Sequence, residues 1–487
     1  MSKTDQGGNL GGRLASGVKW AALSRITSQS ISWLVTLIII RLLHPHDYGL
    51  NAMIEVPIEL CLLFSSLGID AALIRFGRYD EKQLSSAFGV LLIANGLIFA
   101  MLQLSADLIA LYFGEPRLAP LIRVSATIFL LAPFRIIPNA LLDAALDFKL
   151  KSQIEMIAAF VASVLSLILA LSGAGVWALV AVVVINPAIR VALLAYWLPW
   201  IIRPAFRFQD IRHLIGYGSV VLAGSVMAVL SARVITLLAG PKLGAEMMGV
   251  YAVATVFSLL PMSKMMPIVN QTLYPAFAQS KHDAAGIERF LLKSVSLTAL
   301  IIFPLTIGMA CVAASIVPLV FGKQWGSVIQ PLAILCLLMP VKLMGELFSL
   351  PINATGKAKY TAKIQLFGLI VSASGVLYAA EFGLIGLTAL AALNILLVGG
   401  LSVLFSCRLF GISARKVWAS VSSAIFGCAL MALSLIFIDR NWGFVDGWLG
   451  LICQLITAAM IYIGVVLIQV GPRGLVELFG ISRSGRA

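Results

Sequence analysis

Several cationic side chains lie inside long apolar segments of this sequence, where a charge is costly. On insertion scales a charged residue near the middle of a membrane-spanning helix costs at least about 2.5–3.5 kcal/mol, so such side chains usually face protein or water. A polar cavity with surplus positive charge selects an anionic ligand, and guanidinium groups hold phosphates through paired donors. We therefore predict an anion-binding set made of Arg25, Arg135, Asn186, Arg190, Arg233, Lys264 and Lys342.

Arg190 is the most deeply placed member of this set. It lies about ten residues from the predicted inner end of its apolar segment, or about 15 Å at 1.5 Å per residue. Asn186 is one helical turn away on the same face, and Pro187 between them removes a backbone hydrogen bond. These features favour a position in a cavity.

The other cations also have structural interpretations, which stay open at this point. Arg233 and Lys264 lie near a predicted membrane face and can extend their charged ends into water. Arg25 can pair with Asp70 at similar depth. Lys342 and Glu346 are four residues apart on one predicted helix and can neutralise each other.

Two carboxylates, Glu55 and Glu59, share one face of the second apolar segment, with Pro57 between them. A carboxylate in a low-dielectric environment can take up and release a proton near neutral pH, or coordinate Na⁺. We predict an ion-coupling role for this pair. The alternative is that both residues are counter-ions for Arg25 or another cation.

The composition excludes a soluble protein. Of 487 residues 60% are hydrophobic and 11% are charged, whereas globular proteins carry about 25% charged residues. The net charge of +14 does not require a nucleic-acid partner, because basic residues are typical of the cytoplasmic loops of membrane proteins.

The apolar segments predict an all-α integral membrane protein with about fourteen transmembrane helices. Lipid offers no partner for an unpaired backbone group, so each segment must be helical. The predicted spans are 17–43, 49–73, 85–111, 121–142, 154–173, 175–200, 214–239, 247–271, 291–318, 327–350, 361–380, 384–406, 418–438 and 448–470.

The distribution of Lys and Arg predicts the orientation. With the N-terminus inside, most of the 35 basic residues fall on cytoplasmic segments, as the positive-inside rule requires. Both termini are then cytoplasmic. The first apolar segment is too long and too polar for a signal peptide, so we interpret it as an uncleaved anchor.

The sequence also contains an internal repeat with an offset of about 200 residues. Pro45 and Gly49 between spans 1 and 2 correspond to Pro241 and Gly249 between spans 7 and 8. Six helices per repeat is an even number, so the copies are parallel and related by a pseudo-twofold axis along the membrane normal. We predict three regions: a six-helix lobe (1–213), a second six-helix lobe (214–410), and two further helices with a basic tail (411–487).

One stretch carries a family resemblance. It reads Arg-Leu-Leu-His-Pro-His-Asp-Tyr-Gly-Leu over residues 41–50, where Pro45, Asp47 and Gly49 predict a tight turn, and continues as Leu-Gly-Ile-Asp-Ala-Ala-Leu-Ile over 67–74. This pattern resembles the opening of bacterial polysaccharide exporters of the colanic-acid, succinoglycan and teichuronic-acid type. These are flippases of the polysaccharide transport family, within the multidrug/oligosaccharidyl-lipid/polysaccharide (MOP) superfamily. Glu55 and Glu59 depart from the mostly apolar residues expected there.

The resemblance implies a transporter of the bacterial inner membrane rather than an enzyme. Its expected substrate is an undecaprenyl-diphosphate-linked oligosaccharide for exopolysaccharide, capsule or O-antigen synthesis, moved by alternating access. The expected partners are membrane lipid, H⁺ or Na⁺, and polysaccharide polymerase machinery.

Two other functions stay open, an ion-coupled drug exporter of the same superfamily and an integral-membrane polysaccharide polymerase or ligase. No Gly-rich loop ends in Gly-Lys-Ser/Thr, so ATP is not the expected direct energy source. We expect no cofactor. His44, His46 and Asp47 have ligand-type side chains, but we interpret them as turn residues and predict no metal site.

Overall fold

The structure is a computed structural model of the chain. It describes residues 34–76, 80–145, 147–198, 203–207, 212–280, 283–441 and 447–478, which are almost entirely helical and include no β-strand. The described chain divides into two compact units, residues 1–249 and 250–487. The lobe boundaries predicted from the sequence (1–213, 214–410 and 411–487) are a separate division and stay a prediction.

Unit 1 is built from helices joined by short connections. Residues 34–42 (α1) are helical. They are followed by α2 (Pro45–Ser66), α3 (Ile69–Phe76), α4 (Glu81–Phe113), α5 (Leu118–Ser125), α6 (Ile128–Ala144), α7 (Phe148–Leu171), α8 (Trp177–Trp197) and the first part of α9 (Arg212–Gln279). Within this unit α7 packs on α8, and α6 packs on both α4 and α8.

Unit 2 begins within α9 and is also helical. It continues with α10 (Ala284–Cys311), the short α11 (Ala313–Ile316), a π-helical turn (Val317–Phe321), a 3₁₀ turn (Lys323–Val328), α12 (Ile329–Ala354), α13 (Ala358–Ala379), a 3₁₀ turn (Ala380–Phe382), α14 (Gly383–Phe410), α15 (Ala414–Asn441) and α16 (Trp448–Leu478). Its core is a cluster of large apolar side chains that includes Phe277, Phe303 and Phe348.

Among the described residues, 11 segments are long and apolar enough to cross a membrane. Two of them each correspond to two of the predicted spans. The segment 225–279 is broken at Gly244, whose φ of 76° and ψ of 174° are not helical. The segment 358–410 comprises α13 and α14. These breaks coincide with the predicted gaps between spans 7 and 8 and between spans 11 and 12. The multi-pass, all-α prediction is confirmed, whereas the count of fourteen stays a prediction because most of span 1 lies outside the described residues.

The segment predicted as a turn, residues 44–49, is largely helical. His44 is the N-cap, Pro45 is the first helical residue, and the backbone N–H of His44 donates to Asp47 Oδ2 at 3.1 Å. Pro is well suited to this position because its missing N–H needs no partner there. The prediction of a tight turn that ends at Gly49 is therefore wrong, since Gly49 lies within α2. Positive φ is instead found at Leu67 and Gly68, where α2 ends and α3 begins.

The absence of a side chain at Gly49 serves helix packing. A Cβ at Gly49 would overlap the carbonyl oxygen of Ala245, and a Cβ at Gly249 would overlap the carbonyl oxygen of Pro45. The two contacts are related by an offset of 200 residues, since position 45 then corresponds to 245 and position 49 to 249; the predicted repeat pairs Gly49 with Gly249 in the same way but pairs Pro45 with Pro241. The start of α2 thus packs backbone to backbone against the part of α9 that follows its break.

Candidate functional site

The first cluster of charged residues in unit 1 joins α2 to α9. Glu55 and Glu59 lie one turn apart on α2, and Arg233 lies on α9. Arg233 donates to both carboxylate oxygens of Glu59, with Nε–Oε2 at 2.7 Å and Nη2–Oε1 at 2.5 Å. Its Nη2 also lies 2.9 Å from Glu55 Oε2. This bidentate geometry is the strong form of an arginine–carboxylate pair.

Asn51 completes this cluster. Its Nδ2 donates to Glu55 Oε1 at 2.8 Å. Two carboxylates face one guanidinium, so the group carries one net negative charge when both acids are ionised. Arg233, with a side chain 23% exposed, directs its Nε and Nη2 to these acids. The arrangement favours uptake of a cation at the carboxylates over binding of an anion at Arg233.

The second cluster contains an arginine that is much less well satisfied. Arg190 Nη1 lies 3.6 Å from Glu155 Oε1, which is longer than a hydrogen bond. Arg190 Nε is buried and has no hydrogen-bond partner. A buried donor without an acceptor costs about 1–3 kcal/mol. Arg190 therefore has donor capacity that its protein neighbours do not use.

A second guanidinium interacts electrostatically with Arg190. It belongs to Arg135 on α6, which also interacts with Asp70 and Glu155. Arg190 and Glu155 each lie seven residues from a helix end, Trp197 and Phe148 respectively, which is about 10 Å along the axis. The predicted cations Arg135 and Arg190 are thus brought together, and each has an acidic neighbour.

Of the remaining predicted residues, only Asn186 lies on the same helix as Arg190, one turn away. Asn186 is half-buried on α8, a helix that continues through Pro187. Lys342 Nζ lies 3.7 Å from Glu346 Oε1 within α12, as the pairing alternative proposed. Lys264 is exposed. Arg25 lies outside the described residues, and so does its predicted pairing with Asp70.

Sequence reasoning missed Glu155 and Asn51. Glu155 was overlooked because span 5 was predicted to begin at residue 154, which placed this carboxylate at the membrane edge. Helix α7 begins at Phe148, so Glu155 lies two turns inside it. Lys149 and Lys151 precede the apolar run, and these charged residues led to the prediction of a loop where the helix begins. Asn51 carries no signal beyond its position one turn before Glu55.

The histidines near the start of α2 have structural contacts. His46 Nε2 lies 3.5 Å from Glu115 Oε1, and His44 caps the helix. Within the described ranges no group of three or more His, Cys, Asp or Glu side chains is arranged to hold a metal ion.

Comparison with known proteins places the chain in a family. Residues 38–330 match the family model described as "Polysaccharide biosynthesis protein". The lipopolysaccharide biosynthesis protein WzxC of Escherichia coli (strain K12) is 26% identical over 383 residues, covering 77% of this chain and 76% of WzxC. The succinoglycan biosynthesis transport protein ExoT of Rhizobium meliloti (strain 1021) is 24% identical, covering 66% of this chain and 65% of ExoT.

Solved structures show the fold. The lipid II flippase MurJ, in an inward closed conformation, superposes with a TM-score of 0.76 at 13% identity, covering 94% of this chain and 99% of MurJ. A MATE-family multidrug transporter of the MOP superfamily, in an inward-facing conformation, gives a TM-score of 0.63 at 16% identity, covering 80% of this chain and 98% of the transporter. The family resemblance predicted from residues 41–74 is confirmed: this chain belongs to the polysaccharide biosynthesis protein family and has the fold of the MOP superfamily.

Proposed function

We propose that this protein is a flippase that moves undecaprenyl-diphosphate-linked oligosaccharides across the bacterial inner membrane by alternating access. The observation that carries the proposal is the pair Arg135 and Arg190 in membrane-spanning helices, where Arg190 Nε is buried without a partner. Support also comes from the names of the relatives, which describe lipopolysaccharide biosynthesis and succinoglycan transport.

A lipid-linked diphosphate matches the chemistry of this arginine pair. Its negative charge lies on the phosphate oxygens next to the lipid, and a guanidinium presents several donors in a planar arrangement that suits them. Charge-assisted hydrogen bonds of this kind are about twice as strong as neutral ones. The oligosaccharide itself can be of varied composition, because the two arginines contact only the diphosphate in this proposal.

The proposed orientation follows the charge distribution, with both termini in the cytoplasm. The Arg135–Arg190 cluster then lies about 10 Å or more inside from the cytoplasmic ends of α6 and α8. A substrate made on the cytoplasmic side would reach this cluster from the inner leaflet. The exported oligosaccharide would be used by polysaccharide polymerase machinery on the outer side.

Ion coupling is a further part of the proposal. The cluster of Glu55, Glu59 and Arg233 has one more carboxylate than guanidinium groups, so its excess negative charge can be neutralised by H⁺ or Na⁺. Binding of a cation to Glu55 would leave the bidentate Glu59–Arg233 pair in place. We propose that this cluster on α2 and α9 couples the cation gradient to transport.

The direct experiment is a leaflet-accessibility assay in cells that lack this protein. A membrane-impermeant reagent that modifies the sugar is added from the outer side, and the modified fraction of lipid-linked oligosaccharide is measured. We expect that fraction to fall when the gene is deleted and to return with the wild-type gene, whereas Arg190→Ala restores it poorly. An unchanged modified fraction in the deletion strain would rule out the flippase.

A further inference from the structure

Glu155 stands where a phosphate group would bind Arg190, and we infer that the two compete for this guanidinium. The inference deepens the proposed function and rests on it, since it takes Arg135 and Arg190 as diphosphate-binding residues. Glu155 then acts as a positioning residue that holds Arg190 and sets how tightly the diphosphate is bound.

The geometry of the pair supports competition. The distance of 3.6 Å between Arg190 Nη1 and Glu155 Oε1 leaves an ion pair without a hydrogen bond. The contrast with Arg233 is direct, because Arg233 makes three contacts of 2.5–2.9 Å with its two acids. A phosphate oxygen can therefore displace Glu155 from Arg190 at lower cost than it could displace Glu59 from Arg233.

The exposed fractions of the two side chains indicate which residue moves away when a phosphate binds. The Glu155 side chain is 45% exposed, whereas the Arg190 side chain is 25% exposed. When an anion binds, Glu155 can move away from Arg190, while Arg190 stays with the ligand. The cost of exchange is small because the 3.6 Å pair has no hydrogen bond to break.

The exchange also keeps the positive charge of Arg135 and Arg190 balanced. Arg135 and Arg190 repel each other, and Asp70 and Glu155 are the acids that offset them. A diphosphate replaces the charge of Glu155 when it enters, and Glu155 recovers Arg190 when the diphosphate leaves. A carrier must release its ligand as well as bind it, so a competing carboxylate accelerates release and lowers affinity.

Measurements of ligand binding by Glu155 variants test the inference. Purified protein in detergent is titrated with undecaprenyl diphosphate, with undecaprenol as the control for the lipid tail. We expect Glu155→Gln to bind undecaprenyl diphosphate about two- to five-fold more tightly than wild type, as the loss of a partly exposed ion pair implies. Glu155→Ala is a second variant with the same expected direction, in case the amide disturbs folding.

The tighter binding of undecaprenyl diphosphate expected for Glu155→Gln must depend on Arg190. In an Arg190→Ala background, Glu155→Gln is expected to change the affinity by less than about 1.5-fold, because the competed group is gone. The matched control is Asp107→Asn, which removes another carboxylate paired with an arginine, Arg123 at 2.6 Å, and should leave binding unchanged.

The outcomes separate the inference from the proposed function. Weaker or unchanged binding by both Glu155 variants overturns the inference, and so does an equal tightening in the Arg190→Ala background. If wild-type protein binds undecaprenyl diphosphate no better than undecaprenol, the proposed function fails and the inference fails with it.

Discussion

Gly249 packs so closely on Pro45 that a Cβ at residue 249 would overlap the Pro45 carbonyl oxygen. Gly49 makes the corresponding contact with Ala245. Each glycine therefore allows two helix backbones to approach, as small residues commonly do between membrane helices. The reciprocal arrangement is what an internal repeat with a 200-residue offset would produce at its axis.

This packing predicts a stability loss on substitution. Gly249→Ala is expected to destabilise the protein by about 1–3 kcal/mol, since an added methyl group must displace a backbone. The measurement is thermal unfolding of the purified protein in detergent. Gly96→Ala is the matched control, because Gly96 is helical and a Cβ there meets nothing within 4 Å. That control should be neutral or slightly stabilising. Equal melting temperatures for Gly249→Ala and wild type would show that the helices do not approach this closely.

The two glutamates of the first cluster should differ in their effects. Glu59 holds Arg233 through two hydrogen bonds, so we expect Glu59→Gln to lower the yield of folded protein more than Glu55→Gln does. Glu55→Gln is expected to reduce export at normal expression, because it removes the excess carboxylate proposed to take up the cation. The measurement is surface polysaccharide per unit of membrane protein. Wild-type export from the double Gln variant would assign both residues to structure alone.

The orientation of the chain is open to chemical labelling. Single cysteines at Ser2 and Ser484, in an otherwise cysteine-free protein, should resist a membrane-impermeant maleimide added from the periplasmic side. The expectation follows from the excess of basic residues on the segments predicted to be cytoplasmic. A cysteine at Arg117, in the short connection between α4 and α5, is the positive control. Efficient labelling at either terminus would reverse the topology.

The sequence predicted the helices better than the contacts between them. Hydropathy located the spans because each must bury its own backbone in lipid, and the predicted gaps at residues 239–247 and 380–384 coincide with helix breaks. Turn residues misled the prediction at 44–49, since Pro and Asp are equally suited to the first turn of a helix. The six-helix repeat of spans 1–6 and 7–12 stays a prediction.

Long-range ion pairs could not be predicted from the sequence, because their partners are far apart along the chain. Glu59 and Arg233 are separated by 174 residues, and no spacing rule connects them. Periodicity identified only local pairs such as Lys342 and Glu346. Depth separated Arg190 from Arg233 in the sequence but did not identify their partners: Arg233 is held by two acids, and Arg190 retains an unpaired donor.

Whether Arg190 binds the diphosphate can be measured as surface polysaccharide in cells that make equal amounts of wild-type, Arg190→Ala, Arg190→Lys and Arg123→Ala protein. Loss of the charge-assisted contact in Arg190→Ala should cost about 1.5–3 kcal/mol, or about 10- to 150-fold in substrate affinity. We expect little polymer from Arg190→Ala and partial recovery with Arg190→Lys, which lacks the planar donor set. Arg123→Ala, which removes an arginine 43% exposed, should leave the polymer at the wild-type level. Normal polymer from Arg190→Ala at matched expression would contradict the assignment of Arg190 to the diphosphate.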